Sequence, residues 1–156
     1  MKNFLGIGIA VGVLAGIWTQ VSIELALITW VAFVSWATFF AAGGGKDGFV
    51  KGLAANLSGL AWAYLASLFI ERNSWNGALA LTVTVLALIL CLQASVPVLS
   101  FIPGAFVGTA VFFGTSFDLT GTLVALVIGA CLGFVSELVA GKIQASVDGA
   151  PVGQPA

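Results

Sequence analysis

Charged side chains are scarce in this sequence, and histidine is absent. Its 156 residues include five basic and six acidic ones, so 7% are charged, whereas 60% are hydrophobic. Soluble domains carry about 25% charged residues and about 45–50% apolar ones. A soluble chain of this length could not bury so much apolar surface, so the composition predicts that the lipid bilayer is its solvent. The formal net charge of −1 also gives no basis for nucleic acid as a partner.

The residue types and motifs that the sequence lacks also limit the chemistry that it could perform. There is no CxxC motif and no carboxylate cluster, so we expect neither a metal site nor a cofactor. Cys91 and Cys131 lie inside apolar runs, where a free thiol behaves as a small hydrophobe, and no structural disulfide is expected. Without a nucleophile beside a base, the sequence predicts that the protein is not an enzyme.

The long uncharged stretches predict an all-α integral membrane protein with about six transmembrane helices. A helix needs about 20 apolar residues to cross a hydrocarbon core about 30 Å thick. Four stretches have that length, and a fifth is long enough for two spans with a helix break near Pro97 and Pro103. The predicted spans are roughly 4–20, 23–43, 50–70, 75–94, 99–115 and 119–140.

The basic residues predict the orientation of these spans. Four of the five lie on one side of a six-span protein, which places both termini in the cytoplasm. These four are Lys2, Lys46, Lys51 and Lys142, and Arg72 lies on the other side. A cleaved signal peptide is the alternative for residues 1–20, but no A-x-A-like cleavage site follows them.

One transmembrane domain is therefore expected over residues 1–142, and a disordered cytoplasmic tail over residues 143–156. The tail is polar and contains Pro and Gly, as disordered termini often do.

The chain contains an internal sequence match. Residues 32–40 read AFVSWATFF and residues 105–113 read AFVGTAVFF, so six of nine positions are identical at an offset of 73. Further matches are Gln20 with Gln93 and Ser22 with Ser95 at the same offset, and Ala55 with Gly129 and Gly59 with Gly133 at an offset of 74. Similarity of composition alone is the alternative explanation.

We interpret the match as two repeat halves, about 4–70 and 75–142. Each half holds three spans, an odd number, so the second half must enter the membrane from the opposite side. Such inverted repeats recur in transporters, which place substrate sites near the midplane where the repeats meet.

Polar side chains within the spans are candidates for a solute path. Asn56 and Ser58 lie in the third span, where an amide needs a partner and should face the protein interior. Gln20 and Gln93 close the first helical hairpin of each half and are candidates to line two vestibules. Each of these residues also has a structural interpretation, as an interhelical hydrogen bond or as a residue that caps or solvates a turn.

Three further path candidates, Pro103, Gly104 and Gly108, lie in SFIPGAFVG near the start of the fifth span. Proline there predicts either a discontinuous helix beside the path or simply the first turn of a helix. Glu137 is the one acid within a long apolar run, and intramembrane acids are often functional. However, Glu137 is only five residues before Lys142, which indicates a position near the cytoplasmic interface instead of a proton relay.

Small residues predict where helices approach closely. Gly8, Gly12 and Gly16 lie on one face of the first span, and Gly129 and Gly133 form a small-xxx-small pair in the last. The first set packs either within the monomer or against another subunit, and the sequence does not distinguish the two.

Several segments carry a resemblance to a known family. GVLAGIW, LITWVAF, LCLQAS and LSFIPGAFVGTAVFF resemble the bacterial inner-membrane family catalogued as domain of unknown function 1097. The resemblance covers roughly residues 5–140 and is most specific from Leu92 to Gly108. It implies a location in the bacterial inner membrane and assigns no activity to any residue.

Two functions therefore remain as hypotheses. The first is a channel or facilitator for a small uncharged or weakly polar solute, because the predicted path has almost no charge. The second is a non-transporting membrane subunit or scaffold that packs against a partner, or against a second copy, through the Gly-rich face.

Overall fold

The computed structural model describes residues 4–147, which form six α-helices and contain no strand. The helices are α1 (Leu5–Glu24), α2 (Thr29–Ala41), α3 (Gly45–Arg72), α4 (Ala78–Leu92), α5 (Ile102–Gly114) and α6 (Leu119–Val147). Two short 3₁₀ turns, Gln93–Ser95 and Pro97–Leu99, connect α4 to α5. The predicted all-helical fold and the break between Pro97 and Pro103 are therefore confirmed.

Four of the six helices are long and apolar enough to cross a membrane. They are α1, α3, α4 with its following 3₁₀ turn, and α6. The other two, α2 and α5, have 13 residues each. At about 1.5 Å per residue they are about 20 Å long, shorter than a hydrocarbon core. The predicted spans 23–43 and 99–115 are therefore longer than the helices that occupy them.

Several helix boundaries differ from the prediction because charged residues lie inside helices. Helix α3 begins at Gly45, so Lys46, Asp47 and Lys51 form its first two turns, with an Asp47–Lys51 ion pair at 3.5 Å. Helix α6 continues through Val147, five residues beyond the predicted end of the domain, and Ser146 bonds to the Lys142 carbonyl within it. The rest of the predicted tail, 148–156, lies outside the described residues.

Two helix pairs that run in the same direction form the centre of the bundle. Along α2 and α6, Ala32 contacts Gly129 and Phe39 contacts Gly133, so both helices advance together. Along α3 and α5, Gly59 contacts Ala105 and Tyr64 contacts Phe112 in the same way. Helix α1 packs on the outer side of α6, and α4 packs on the outer side of α3.

Small residues allow these helices to approach at backbone distance. A Cβ atom added to Gly59 would overlap the carbonyl oxygen of Ala105, and one added to Gly129 would overlap that of Ala32. Such contacts are typical of helix packing in membranes, where van der Waals contact replaces the hydrophobic effect.

The outer surface of the bundle is apolar, unlike that of a soluble protein. Large hydrophobic side chains such as Ile17, Leu79 and Leu88 are more than half exposed. Extended exposed apolar surface indicates contact with lipid or with another protein.

Candidate functional site

A hydrogen-bonded chain of polar groups crosses the centre of the bundle. Asn56 on α3 is fully buried, and its Nδ2 donates to the Ser35 hydroxyl on α2 at 3.2 Å. That hydroxyl donates to the Leu126 carbonyl oxygen on α6 at 2.6 Å. Gly108 on α5 lies against the Asn56 backbone carbonyl. Asn56, a predicted path residue, is therefore where contacts from α2 and α5 converge on α3.

The orientation of the Asn56 amide follows from the number of protons that the Ser35 hydroxyl can donate. A serine hydroxyl has one proton to donate, and Ser35 gives it to Leu126. Ser35 can then only accept a hydrogen bond from Asn56, so the amide nitrogen must face Ser35. The amide oxygen, Oδ1, faces the other way.

Asn56 Oδ1 has no hydrogen-bond partner. Among residues 4–147 it is the one buried side-chain oxygen or nitrogen in this condition. A buried, unsatisfied acceptor costs about 1–3 kcal/mol. The atom therefore offers a free acceptor in the protein interior.

Ser58, the second path candidate on α3, belongs to a different hydrogen-bond network. Ser58 donates to the Ala55 carbonyl at 2.8 Å and accepts from Gln93 Nε2 at 3.1 Å. Gln93 Oε1 accepts from the Trp62 indole at 3.2 Å. Gln93 thus attaches the end of α4 to α3, which favours its structural interpretation.

Gln20, the sequence match of Gln93, has different surroundings. It is exposed on α1 and donates to Glu24 of the same helix at 2.7 Å. The two glutamines are therefore not equivalent in their contacts, although they match in sequence.

The Pro-Gly pair forms the start of α5. Helix α5 begins at Ile102, so Pro103 lies in its first turn, as the simpler of the two interpretations has it. Gly104 packs against Phe101 and the Ala55 methyl group. Pro103 also lines a shallow, open pocket of about 190 Å³ between α2 and α5, together with Val34, Ala37, Thr38, Ala41, Phe101 and Val107.

Glu137 lies within α6, and its carboxylate contacts the turn at the N-terminus of α3. Its Oε2 accepts a hydrogen bond from the Gly45 backbone N–H at 2.6 Å, at the N-terminus of α3. Gly43, Gly44 and Gly45 all have positive φ, and the absence of a side chain on Gly44 leaves room for the carboxylate beside it. A carboxylate at a helix N-terminus is favoured by the helix dipole. Glu137 therefore has a structural partner.

The glycines predicted to pack helices divide into two groups. Gly129 and Gly133 lie against α2 at Ala32 and Phe39. Gly8, Gly12 and Gly16 are open, with nothing within 4 Å of an added Cβ. The α1–α6 contact is instead made by Gly6, which packs on Ala140 and Gln144. Packing of the Gly8/Gly12/Gly16 face within the monomer is thus not observed.

Sequence reasoning did not select Ser35 or Ser136, although both are fully buried. Ser136 accepts a hydrogen bond from the Trp36 indole at 2.9 Å. Both serines lie in strongly apolar runs, and the same criterion that selected Asn56 would have found them. Within residues 4–147, no group of three potential metal ligands occurs, and the thiols of Cys91 and Cys131 are free and exposed.

Comparison with known proteins identifies the family. A family model described as "Protein of unknown function (DUF1097)" matches residues 8–141. The chain belongs to this family. The resemblance seen in the sequence is thereby confirmed.

Relatives in this family cover most of the chain. An uncharacterized protein, YahC of Escherichia coli K12, is 35% identical over 149 residues, which are 88% of this chain and 90% of the relative. The inner membrane protein YcdZ of the same organism is 32% identical over 139 residues (88% and 85%). YcdZ of Salmonella typhimurium LT2 is 32% identical over 142 residues (88% and 87%). No solved structure matches the chain.

Proposed function

We propose that this chain crosses the inner membrane six times, as two inverted three-helix halves, and passes a small uncharged or weakly polar solute. The observation that carries the proposal is a set of matched contacts between the halves. Three contacts of α3 with α5 have counterparts between α6 and α2. They are Gly59–Ala105 with Gly129–Ala32, Asn56–Gly108 with Leu126–Ser35, and Tyr64–Phe112 with Phe134–Phe39.

The offsets of these matched contacts support a true repeat. Residues of α2 and α5 correspond at an offset of 73, as in the sequence match. Residues of α3 and α6 correspond at 70, whereas the sequence pairs Ala55 with Gly129 and Gly59 with Gly133 at 74. The difference of four residues is about one helical turn, so α6 uses the same helix face one turn closer to its N-terminus.

The turns before α3 and α6 share a hydrogen-bond pattern that is compatible with the repeat but not specific to it, because the same helix-end pattern closes α1 at Leu25, Ala26 and Leu27. The N–H groups of Ala42, Gly43 and Gly44 bond to the carbonyls of Thr38, Phe40 and Phe39. The N–H groups of Thr115, Ser116 and Phe117 bond to those of Val111, Phe113 and Phe112, each partner 73 residues later. Gly43 and Gly44 have positive φ, and so do Ser116 and Phe117.

The short helices α2 and α5 are included among the six proposed spans. Ile28, just before α2, lies beside Gly121, and Gly44, just after it, lies beside Glu137. Helix α2 with its flanking residues therefore follows α6 over 16 residues, or about 24 Å. That is most of a hydrocarbon core.

The cellular location of the proposal rests on relatives and on charge. YcdZ is named an inner membrane protein in two bacteria. The basic residues favour cytoplasmic termini. We also propose that the chain is not an enzyme, because it lacks histidine and the hydroxyl of its buried Ser35 is already donated to a carbonyl.

The step from inverted halves to transport rests on analogy with transporter folds, which bind solutes where the repeats meet. A charged solute would ask for an opposing charge in the path. The buried polar side chains of the described bundle, Asn56 and Ser35 among them, are all neutral. An uncharged solute therefore fits best.

Stopped-flow light scattering on proteoliposomes of the full chain tests the proposal. Urea, acetamide and glycerol are presented as inward gradients, with protein-free vesicles of the same lipid as the control. We expect faster swelling for at least one solute. Protein-free rates for every solute and for water, from protein shown to be folded and inserted, would contradict transport.

The uncovered Gly8/Gly12/Gly16 face supports the second candidate, a scaffold that packs against another subunit. If this face makes a contact between copies, Gly12→Leu should reduce the oligomer size measured by size exclusion with light scattering. The matched control is Val13→Leu, one residue away on the same helix. An unchanged oligomer size in both variants would argue against self-association through this face.

A further inference from the structure

We infer that Asn56 Oδ1 is a binding site for a small hydrogen-bond donor, so that the solutes which pass are amides, ureas, polyols or water. The inference deepens the proposed function and rests on it. Its basis is the acceptor without a partner, buried where contacts from the other central helices meet α3.

The direction of the missing hydrogen bond decides the class of ligand. Because Ser35 donates to Leu126, the amide nitrogen of Asn56 is held toward Ser35 and its oxygen is the free atom. A ligand that meets this oxygen must supply an N–H or O–H group. Solutes that only accept hydrogen bonds find no counterpart there.

The other polar side chains of the interior that could bind a donor already have hydrogen-bond partners. Ser58 and Gln93 bond to one another and to α3. Ser136 donates to the Gly133 carbonyl and accepts from Trp36. Among the buried side chains of residues 4–147, the unsatisfied acceptor is thus Asn56.

The position of Asn56 relative to the two halves also favours a solute site. By the contact match, its counterpart in the second half is Leu126, whose backbone carbonyl receives the Ser35 hydroxyl. The polar chain therefore runs from one half to the other across the interface where inverted repeats bind solutes. An apolar side chain at position 56 would leave that interface without a free acceptor.

A comparison of donor and acceptor solutes tests the ligand class in the wild-type chain. Methylurea carries N–H donors, and trimethylamine N-oxide, of similar size, has none. In stopped-flow measurements on proteoliposomes, methylurea and acetamide should enter faster than in protein-free vesicles, and trimethylamine N-oxide should not. Equal acceleration of methylurea and trimethylamine N-oxide would overturn the donor requirement.

Variants of Asn56 test the site itself. Asn56→Leu should slow acetamide entry by about tenfold, the equivalent of one ordinary hydrogen bond. Asn56→Gln keeps an N–H donor for Ser35 and an uncharged acceptor oxygen, and should slow acetamide entry less than Asn56→Leu does. Ser67→Ala, also buried on α3 but bonded only to the Tyr64 carbonyl, is the control and should leave the rate unchanged.

The outcomes separate this inference from the proposed function. No flux of any solute or of water through folded wild-type protein would overturn the function. Flux that Asn56→Leu leaves unchanged would overturn the site while the function stands. Osmotic water permeability that rises alone, and falls in Asn56→Leu, would support the site with water as the donor. If Asn56→Leu does not fold, the methylurea comparison in the wild type still decides the ligand class.

Discussion

Backbone carbonyl oxygens lie against the Cα atoms of glycines at the centre of this protein. Gly108 meets the Asn56 carbonyl in this way, and Gly59 and Gly129 meet those of Ala105 and Ala32. A side chain larger than hydrogen would force the helix backbones apart, because a carbonyl has no rotamer into which it can move away. At this scale, single glycines determine the spacing of the central helices.

Gly108→Ala should therefore destabilise the protein. The added Cβ would overlap the Asn56 carbonyl, and overpacking of this kind costs about 1–3 kcal/mol. The measurement is the free energy of unfolding in detergent, followed by tryptophan fluorescence. The control is Gly141→Ala on α6, where a Cβ meets nothing within 4 Å and helix propensity favours alanine. Equal stability of the two variants would contradict the packing described here.

Predictions for single residues agreed with the structure where the chemistry of the side chain alone determined its position. An amide in an apolar span must turn inward, and Asn56 is buried. Its partner Ser35 is 21 residues away on another helix, so the pairing depends on how α2 and α3 pack. No pattern in the sequence determines that packing, and for the same reason the bond between Trp62 and Gln93 was not predicted.

The ends of individual helices are stabilised by contacts with residues from other parts of the chain. Helix α3 has no side-chain cap of its own, and Gly45 at its start is bonded by Glu137 of α6. The sequence predicted the order of the six helices because charges interrupt the apolar runs. It did not predict that α3 would begin at Gly45 and include Lys46 and Asp47, since charged residues outside the hydrocarbon can continue a helix.

Glu137→Ala should weaken the start of α3. It removes the acceptor of the Gly45 N–H and a favourable charge at the helix N-terminus, together about 1 kcal/mol. The matched control is Glu24→Ala, which removes an exposed carboxylate whose partner is Gln20 on its own helix, and it should change the unfolding free energy by less than about 0.5 kcal/mol. Unfolding titrations of both variants provide the comparison. A Glu137→Ala variant as stable as Glu24→Ala would show that the contact contributes nothing.

At the scale of the whole molecule, the two matched interfaces between the halves, α3 with α5 and α6 with α2, should have similar energetics if the repeat is real. The Tyr64–Phe112 rings are 6.2 Å apart at 81°, and the Phe39–Phe134 rings are 6.4 Å apart at 88°. Edge-to-face aromatic pairs couple by about 0.5–1.5 kcal/mol. Double-mutant cycles with leucine should therefore give both pairs coupling energies in that range and of similar size. The pair Tyr64 and Phe134, which make no ring contact with each other in the described chain, is the control and should couple near zero. Coupling in only one of the two pairs would argue against equivalent interfaces.

The path of the chain across the membrane depends on whether the short helices α2 and α5 cross it. If all six helices cross, residues 25 and 73 face the periplasm and residue 46 faces the cytoplasm. If only the four long helices cross, residue 46 joins residue 25 in the periplasm and residue 73 faces the cytoplasm. Leu25→Cys, Lys46→Cys and Asn73→Cys, each in a chain with Cys91→Ala and Cys131→Ala, separate these topologies in a labelling experiment on intact cells. An impermeant thiol reagent should modify the first and third variants in intact cells, and the second only after permeabilisation, with the cysteine-free chain as the blank. Labelling of both Leu25→Cys and Lys46→Cys from outside, with Asn73→Cys protected, would reject the six-span arrangement, and with it the inverted orientation of the second half.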